Sequence, residues 1–167
     1  MTDDTVNTAE TRLTRRFDAP VADVWAAFTD PVLLAQWFGP LTFHVPRDSV
    51  DLDLREGGHW RLTMVNNDDA AVRSPVDATF AEVLPEQLLV GYEVTQGFPG
   101  IPDGTRLTLT LEFRADGDGT ILELRQGPFT EGLRDMNDIG WGQSFFKLDG
   151  LLATPARFRT AMVDLDG

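Results

Sequence analysis

Between Val50 and Gln126 apolar and polar side chains alternate with a period of two, whereas on either side of that block apolar residues recur every three or four positions. A chain patterned this way predicts a sheet flanked by helices. Before the block, TRLTRRF alternates enough for a first strand, and DAPVADVWAAF reads as a helix with Asp18 or Ala19 at its cap, Pro20 at its first position and Val24, Trp25 and Phe28 on one side. A second short helix follows. Asp30 caps it, Pro31 fits its first turn, Leu33, Leu34 and Trp37 form its apolar face, and Gly39 with Pro40 ends it.

Six strands are predicted within the alternating block. SVDLDLR points Val50, Leu52 and Leu54 one way, and HWRLTMV points Trp60, Leu62 and Met64 one way with His59 and Arg61 opposite. PVDATFAEVL groups Val76, Ala78 and Phe80, and LLVGYEV groups Leu88, Val90 and Tyr92. RLTLTLEF and TILELRQ close the series, with Leu107, Leu109, Leu111 and Phe113 inward on one, and Leu122, Leu124 and Gln126 inward on the other. Short polar connections make these antiparallel hairpins with one wet face, so the other face needs a cover. The segment GWGQSFFKLDGLL supplies it: Trp141, Phe145, Leu148 and Leu152 form one stripe of a long terminal helix beginning near Gly140. The expected class is α+β, a curved antiparallel sheet of about seven strands with two short helices, wrapped around that long helix.

At 167 residues the chain is long enough for one self-sufficient core. Residues 1–10 are poor in apolar side chains and read as a loose tail, residues 11–160 as a single domain, and residues 161–167 as a C-terminal tail. The formal net charge of −13 repels phosphate backbones and anionic headgroups, which argues against nucleic acid and membrane partners. The N-terminus lacks the basic-then-apolar order of an export signal, and no run approaches ~18 apolar residues. With no cysteine in the chain, the expectation is a cytoplasmic protein without disulfides, thiolate metal sites or a cysteine nucleophile.

Groups for catalysis are sparse. The two histidines, His44 and His59, have no third ligand at metal spacing, so no metal and no cofactor is expected. Ser49, Ser74 and Ser144 lie outside any nucleophile-elbow pattern, and the paired glycines mark hairpin turns. An enzyme on this scaffold has only pocket acids to use, with Glu82 and Glu93 as the available proton carriers.

The strings VWAAFTDPVLLAQWFGP, DLREGGHWRL and EVLPEQLL, together with the Gly140–Trp141 pair, resemble the family of homologues of the activator of Hsp90 ATPase. The resemblance runs from about Thr11 to Leu152, and it implies the START-like helix-grip fold with a deep pocket between sheet and terminal helix. The inward pattern supplies candidate walls: Trp60, Leu62, Met64, Phe80, Tyr92, Leu109 and Gln126 on the sheet, facing Trp141 and Phe145, with Trp37 and Phe38 closing one end. At the positions of Tyr92 and Gln126 the family more often carries tryptophan and histidine. Phe129, Leu133 and Met136 lie in an irregular stretch, residues 128–138, which with Gly97–Thr105 is a candidate gate over the pocket mouth. The resemblance leaves three roles open. One is a non-enzymatic module for a hydrophobic, aromatic or lipid-like small molecule in a stress or regulatory response. The second is a cyclase, aromatase or hydrolase in the same pocket, and the third a co-chaperone-like or regulator-binding protein partner. The scarcity of catalytic groups favours the first; oligomeric state is not legible.

Overall fold

Each alternating stretch except SVDLDLR forms a strand in the computed structural model, which describes residues 8–153. The tails at residues 1–7 and 161–167, and the last stretch of the expected domain, residues 154–160, lie outside the described residues. Among the described residues eight strands occur: β1 (Ala9–Phe17), β2 (Phe43–His44), β3 (Asp51–Leu52), β4 (His59–Asn66), β5 (Arg73–Leu84), β6 (Leu88–Val94), β7 (Arg106–Asp116) and β8 (Gly119–Phe129). They form one antiparallel sheet in the order β1-β8-β7-β6-β5-β4-β2, with β3 also on β4. β1 begins at Ala9, so pairing with Phe129 orders two residues that their composition assigns to a tail.

Two helices follow β1, α1 (Val21–Thr29) and α2 (Pro31–Trp37). Asp30 caps α2 as its sequence demands, its carboxylate accepting from the amides of Val32 at 2.9 Å and Leu33 at 3.3 Å. Gly39 takes the left-handed turn past the end of α2, at φ 101°. Between α2 and β4 the chain departs from the expected strand over SVDLDLR. Arg47–Ser49 forms a single 3₁₀ turn, and only Asp51 and Leu52 pair with β4. The chain then turns at Gly58, where a Cβ would lie 2.0 Å from the carbonyl oxygen of Asp53.

The terminal helix, α3 (Glu131–Leu152), starts nine residues before Gly140. Thr130 is its cap, accepting from the amide of Leu133 at 3.3 Å. Residues 131–138 are therefore helix and not the irregular gate expected for 128–138, and Gly140 lies in mid-helix. The inward stripe extends accordingly, from Leu133 and Asn137 through Trp141, Ser144 and Phe145 to Leu148 and Leu151. Four glycines weaken the helix by about 1 kcal/mol each, so its stability comes from docking on the sheet. The core lies between α3, α1, α2 and the lower half of the sheet, where Phe17, Leu33, Leu34, Leu111, Leu122, Leu124 and Leu148 are buried.

Candidate functional site

Cross-strand register decides what faces α3. One inward row runs Thr11–Gln126–Leu109–Gly91–Phe80, and the next runs Leu13–Leu124–Leu111–Leu89–Val83. The second row packs into the core. At Gly91 the first row lacks a side chain altogether, and beyond it Glu93 pairs with Leu107 while Ala78 pairs with Trp60. With so little side chain at Gly91 and Ala78, the space between α3 and this end of the sheet is left unfilled. A cavity of about 880 Å³ remains.

Nine of the side chains expected to line a pocket border this cavity: Phe38, Trp60, Met64, Tyr92, Leu109, Gln126, Phe129, Met136 and Trp141. Met136 stands at its mouth, 69% exposed. Four others do not border it and belong to the packed core. Trp37 is turned toward α1, its indole N–H donating to the Ala27 carbonyl at 2.9 Å with Phe28 edge-on at 4.8 Å. Phe145 lies one turn below Trp141 and meets Phe17 edge-on at 5.3 Å. Phe80 stacks on Trp60 with ring centroids 6.3 Å apart, and Leu62 is buried. Each is apolar and inward, but each is buried in the main hydrophobic cluster and does not face open space.

Strand β6 corrects a parity. Leu89, Gly91 and Glu93 face inward, and Tyr92 pairs with Thr79 and Thr108 on the other side, where the Arg106 guanidinium lies 4.1 Å from its ring centroid. Tyr92 thus touches the cavity from the wrong parity to reach deep into it. Glu93 takes the inner position. One of its oxygens accepts from the Asp77 amide at 2.9 Å, and burial pushes its carboxyl above the usual range. Glu82, the other acid considered, follows a bulge after Phe80 and does not border the cavity.

Gln126 ties the sheet to α3. Its oxygen accepts from Trp141 Nε1 and from Asn137 Nδ2, each at 2.8 Å, and Asn137 Nδ2 also reaches Thr11 Oγ1 at 2.9 Å. An indole can only donate, so the Gln126 oxygen must face it. Gln126→Leu leaves two donors without this acceptor and is expected to cost ~1–3 kcal/mol in urea denaturation. An unchanged midpoint would show that water replaces the amide.

The strand–strand loop Gly97–Thr105 borders the cavity through Phe98. It is held by Thr95 Oγ1 donating to the Pro102 carbonyl at 2.9 Å and by the Gly97 amide donating to Asp103 at 2.9 Å. It also packs on Thr130, whose Cγ2 lies 2.5 Å from where a Cβ on Gly100 would stand. Among the described residues no cluster of His, Asp and Glu could hold a metal ion, and no helix is long and apolar enough to cross a membrane. Glu93 was legible as a pocket acid, whereas Gly91, Ala78, Asn137 and Ser144 were not legible as cavity residues, although a glycine inside a strand is a signal for open space or close approach.

The family model described as activator of Hsp90 ATPase homolog 1-like protein matches residues 18–153. Among solved structures, the AHSA1 protein of Silicibacter pomeroyi is 27% identical with a TM-score of 0.71, over 88% of this chain and 99% of that one. A protein of Nitrosomonas europaea is 26% identical with a TM-score of 0.72, over 88% and 96%. One from Chromobacterium violaceum shares the fold at 23% identity and a TM-score of 0.74, over 86% and 96%. No curated protein matches the chain.

Proposed function

The chain belongs to the activator of Hsp90 ATPase homologue 1-like family, and from that premise we propose that it binds a hydrophobic small molecule between its sheet and its terminal helix. The observation that carries the reading is the pairing of small inner residues, Gly91 and Ala78, with a surround of large ones, Trp60, Phe38, Phe129 and Trp141. A solid core would have filled that volume, since protein interiors pack to crystal-like density. Apolar residues dominate the walls, and the polar groups there include the Gln126–Asn137–Trp141 cluster, the unpartnered Trp60 indole N–H, the Arg61–Asp77 pair and Glu93. Glu93 is flanked by Ala78 and Leu107, and neither histidine borders the cavity. An acid without a partner base suits recognition better than turnover, so the reading is of a binder and not a cyclase or hydrolase. The cysteine-free composition suits a cytoplasmic role.

Binding to the folded state alone raises stability by ~2.7 kcal/mol at a ligand concentration of about 100 times Kd. An apolar ligand is therefore expected to raise the melting temperature and quench tryptophan emission together, because Trp60 and Trp141 border the cavity. A broad series of hydrophobic compounds at saturation that moves neither signal would rule the reading out.

A further inference from the structure

Three charged residues border the cavity: Arg61, Asp77 and Glu93. Arg61 and Asp77 answer each other, guanidinium to carboxylate at 2.9 Å. Glu93 has no such partner. Its hydrogen bond is to the neutral Asp77 amide, the Arg106 guanidinium of β7 is engaged over the Tyr92 ring, and among the described residues no cationic group lies within ion-pair distance of it. A carboxylate on an apolar wall is costly unless a positive charge or further donors meet it.

On the premise that the cavity binds an apolar molecule, we propose that this molecule is a cationic amphiphile whose protonated amine pairs with Glu93. Three features of the cavity favour a cation over a neutral or anionic head. Glu93 stands inward between Leu107 and the Ala78 gap, so a head group can reach it. Trp60, Trp141, Phe38, Phe98 and Phe129 make the lining rich in aromatic rings, whose π systems attract an ammonium and are indifferent or unfavourable to a carboxylate. The whole chain carries a formal charge of −13, which concentrates cations at the mouth and repels anions. Among the described residues the basic side chain bordering the cavity, Arg61, is already paired with Asp77, and the unpartnered Trp60 indole N–H is a neutral donor that offers an anionic head no charge.

Three probes with one apolar body separate the possibilities: naphthylmethylamine, naphthylmethanol and naphthoate, titrated by calorimetry into the full chain at neutral pH. The amine is expected to bind at least about tenfold more tightly than the alcohol, the size of one charge-assisted hydrogen bond, and the carboxylate more weakly than either. Glu93→Gln keeps an acceptor for the Asp77 amide and removes the desolvated charge, so the variant is expected to fold. It should erase the amine's advantage and leave the alcohol's affinity in place. Equal affinities for amine and alcohol, or an advantage that survives Glu93→Gln, would overturn the inference while leaving a neutral hydrophobic ligand standing. Failure of all three probes to bind would overturn it too, and the broader ligand series then decides the parent reading separately.

Discussion

Gly91→Phe is expected to abolish binding of apolar ligands, weakening it by about a hundredfold or more, equivalent to ~2.7 kcal/mol, while the chain stays folded. Gly91 pairs with Phe80 on one side and Leu109 on the other, so any side chain placed there enters the cavity from the floor. A Cβ at this position would lie 3.5 Å from the Thr79 carbonyl oxygen, 3.8 Å from the Ala78 methyl and 3.9 Å from the Phe80 ring. Those are ordinary contacts, and Gly91 is not among the residues of positive φ, so the backbone accepts a side chain without strain. A benzyl group then occupies volume that a ligand needs. Gly91→Ala serves as the control: it adds one methyl, lowers the entropy of the unfolded chain and should leave affinity near that of the parent, with stability raised by up to ~1 kcal/mol. Calorimetric titration with naphthylmethanol reads the difference. If folded Gly91→Phe binds as well as the parent, the ligand site is elsewhere.

Trp37→Ala should remove ~3–5 kcal/mol of stability, and Trp141→Ala roughly 1–3 kcal/mol less than that. Trp37 is fully buried, donates to the Ala27 carbonyl, and has Phe28 and Phe38 edge-on at 4.8 Å and 5.7 Å. Its removal opens a void deep in the core and leaves a backbone carbonyl without its donor. Trp141 is also largely buried, but one side of it borders the existing cavity, where it has fewer atoms to lose contact with. Its hydrogen-bond partner Gln126 keeps Asn137 after the substitution. Since a domain of this kind is stable by only ~5–15 kcal/mol, the Trp37 variant should be unfolded by distinctly less urea than the Trp141 variant. Equal losses would mean that the space beside Trp141 closes on it in solution and that no standing cavity exists.

The differences between pattern and structure are concentrated around that cavity. In LLVGYEV, alternation groups the greasy residues Leu88, Val90 and Tyr92, yet the inner face is Leu89, Gly91 and Glu93. A strand facing solid core announces itself by large apolar side chains. One facing a hollow does not, because a glycine and a single acid there are what keep the hollow open and polar at one point. The beginning of α3 was hidden for a related reason. Gly132, Asp135, Asp138 and Gly140 dilute its amphipathic signal, and this half of the helix lies over the cavity instead of over core. Thr130 followed by Glu131 was the available sign of a helix start.

Hydrophobic periodicity determined the class of each major element, the hairpin order of the sheet and the need for a terminal helix, because those depend on how side chains repeat over a few residues. The same local information reached the family, through strings such as VWAAFTDPVLLAQWFGP that form α1, α2 and the turn at Gly39. It could not tell Trp37, Leu62, Phe80 and Phe145 from Trp60, Met64 and Trp141, since all seven are inward hydrophobes. What separates them is whether an atom from another element fills the space in front, and that is set by cross-strand register and by where α3 crosses the sheet. Tertiary structure alone therefore assigned Trp37 and Phe145 to the core, Trp60 and Trp141 to the wall, and Glu93 to an inner position beside open space without a cationic partner among the described residues.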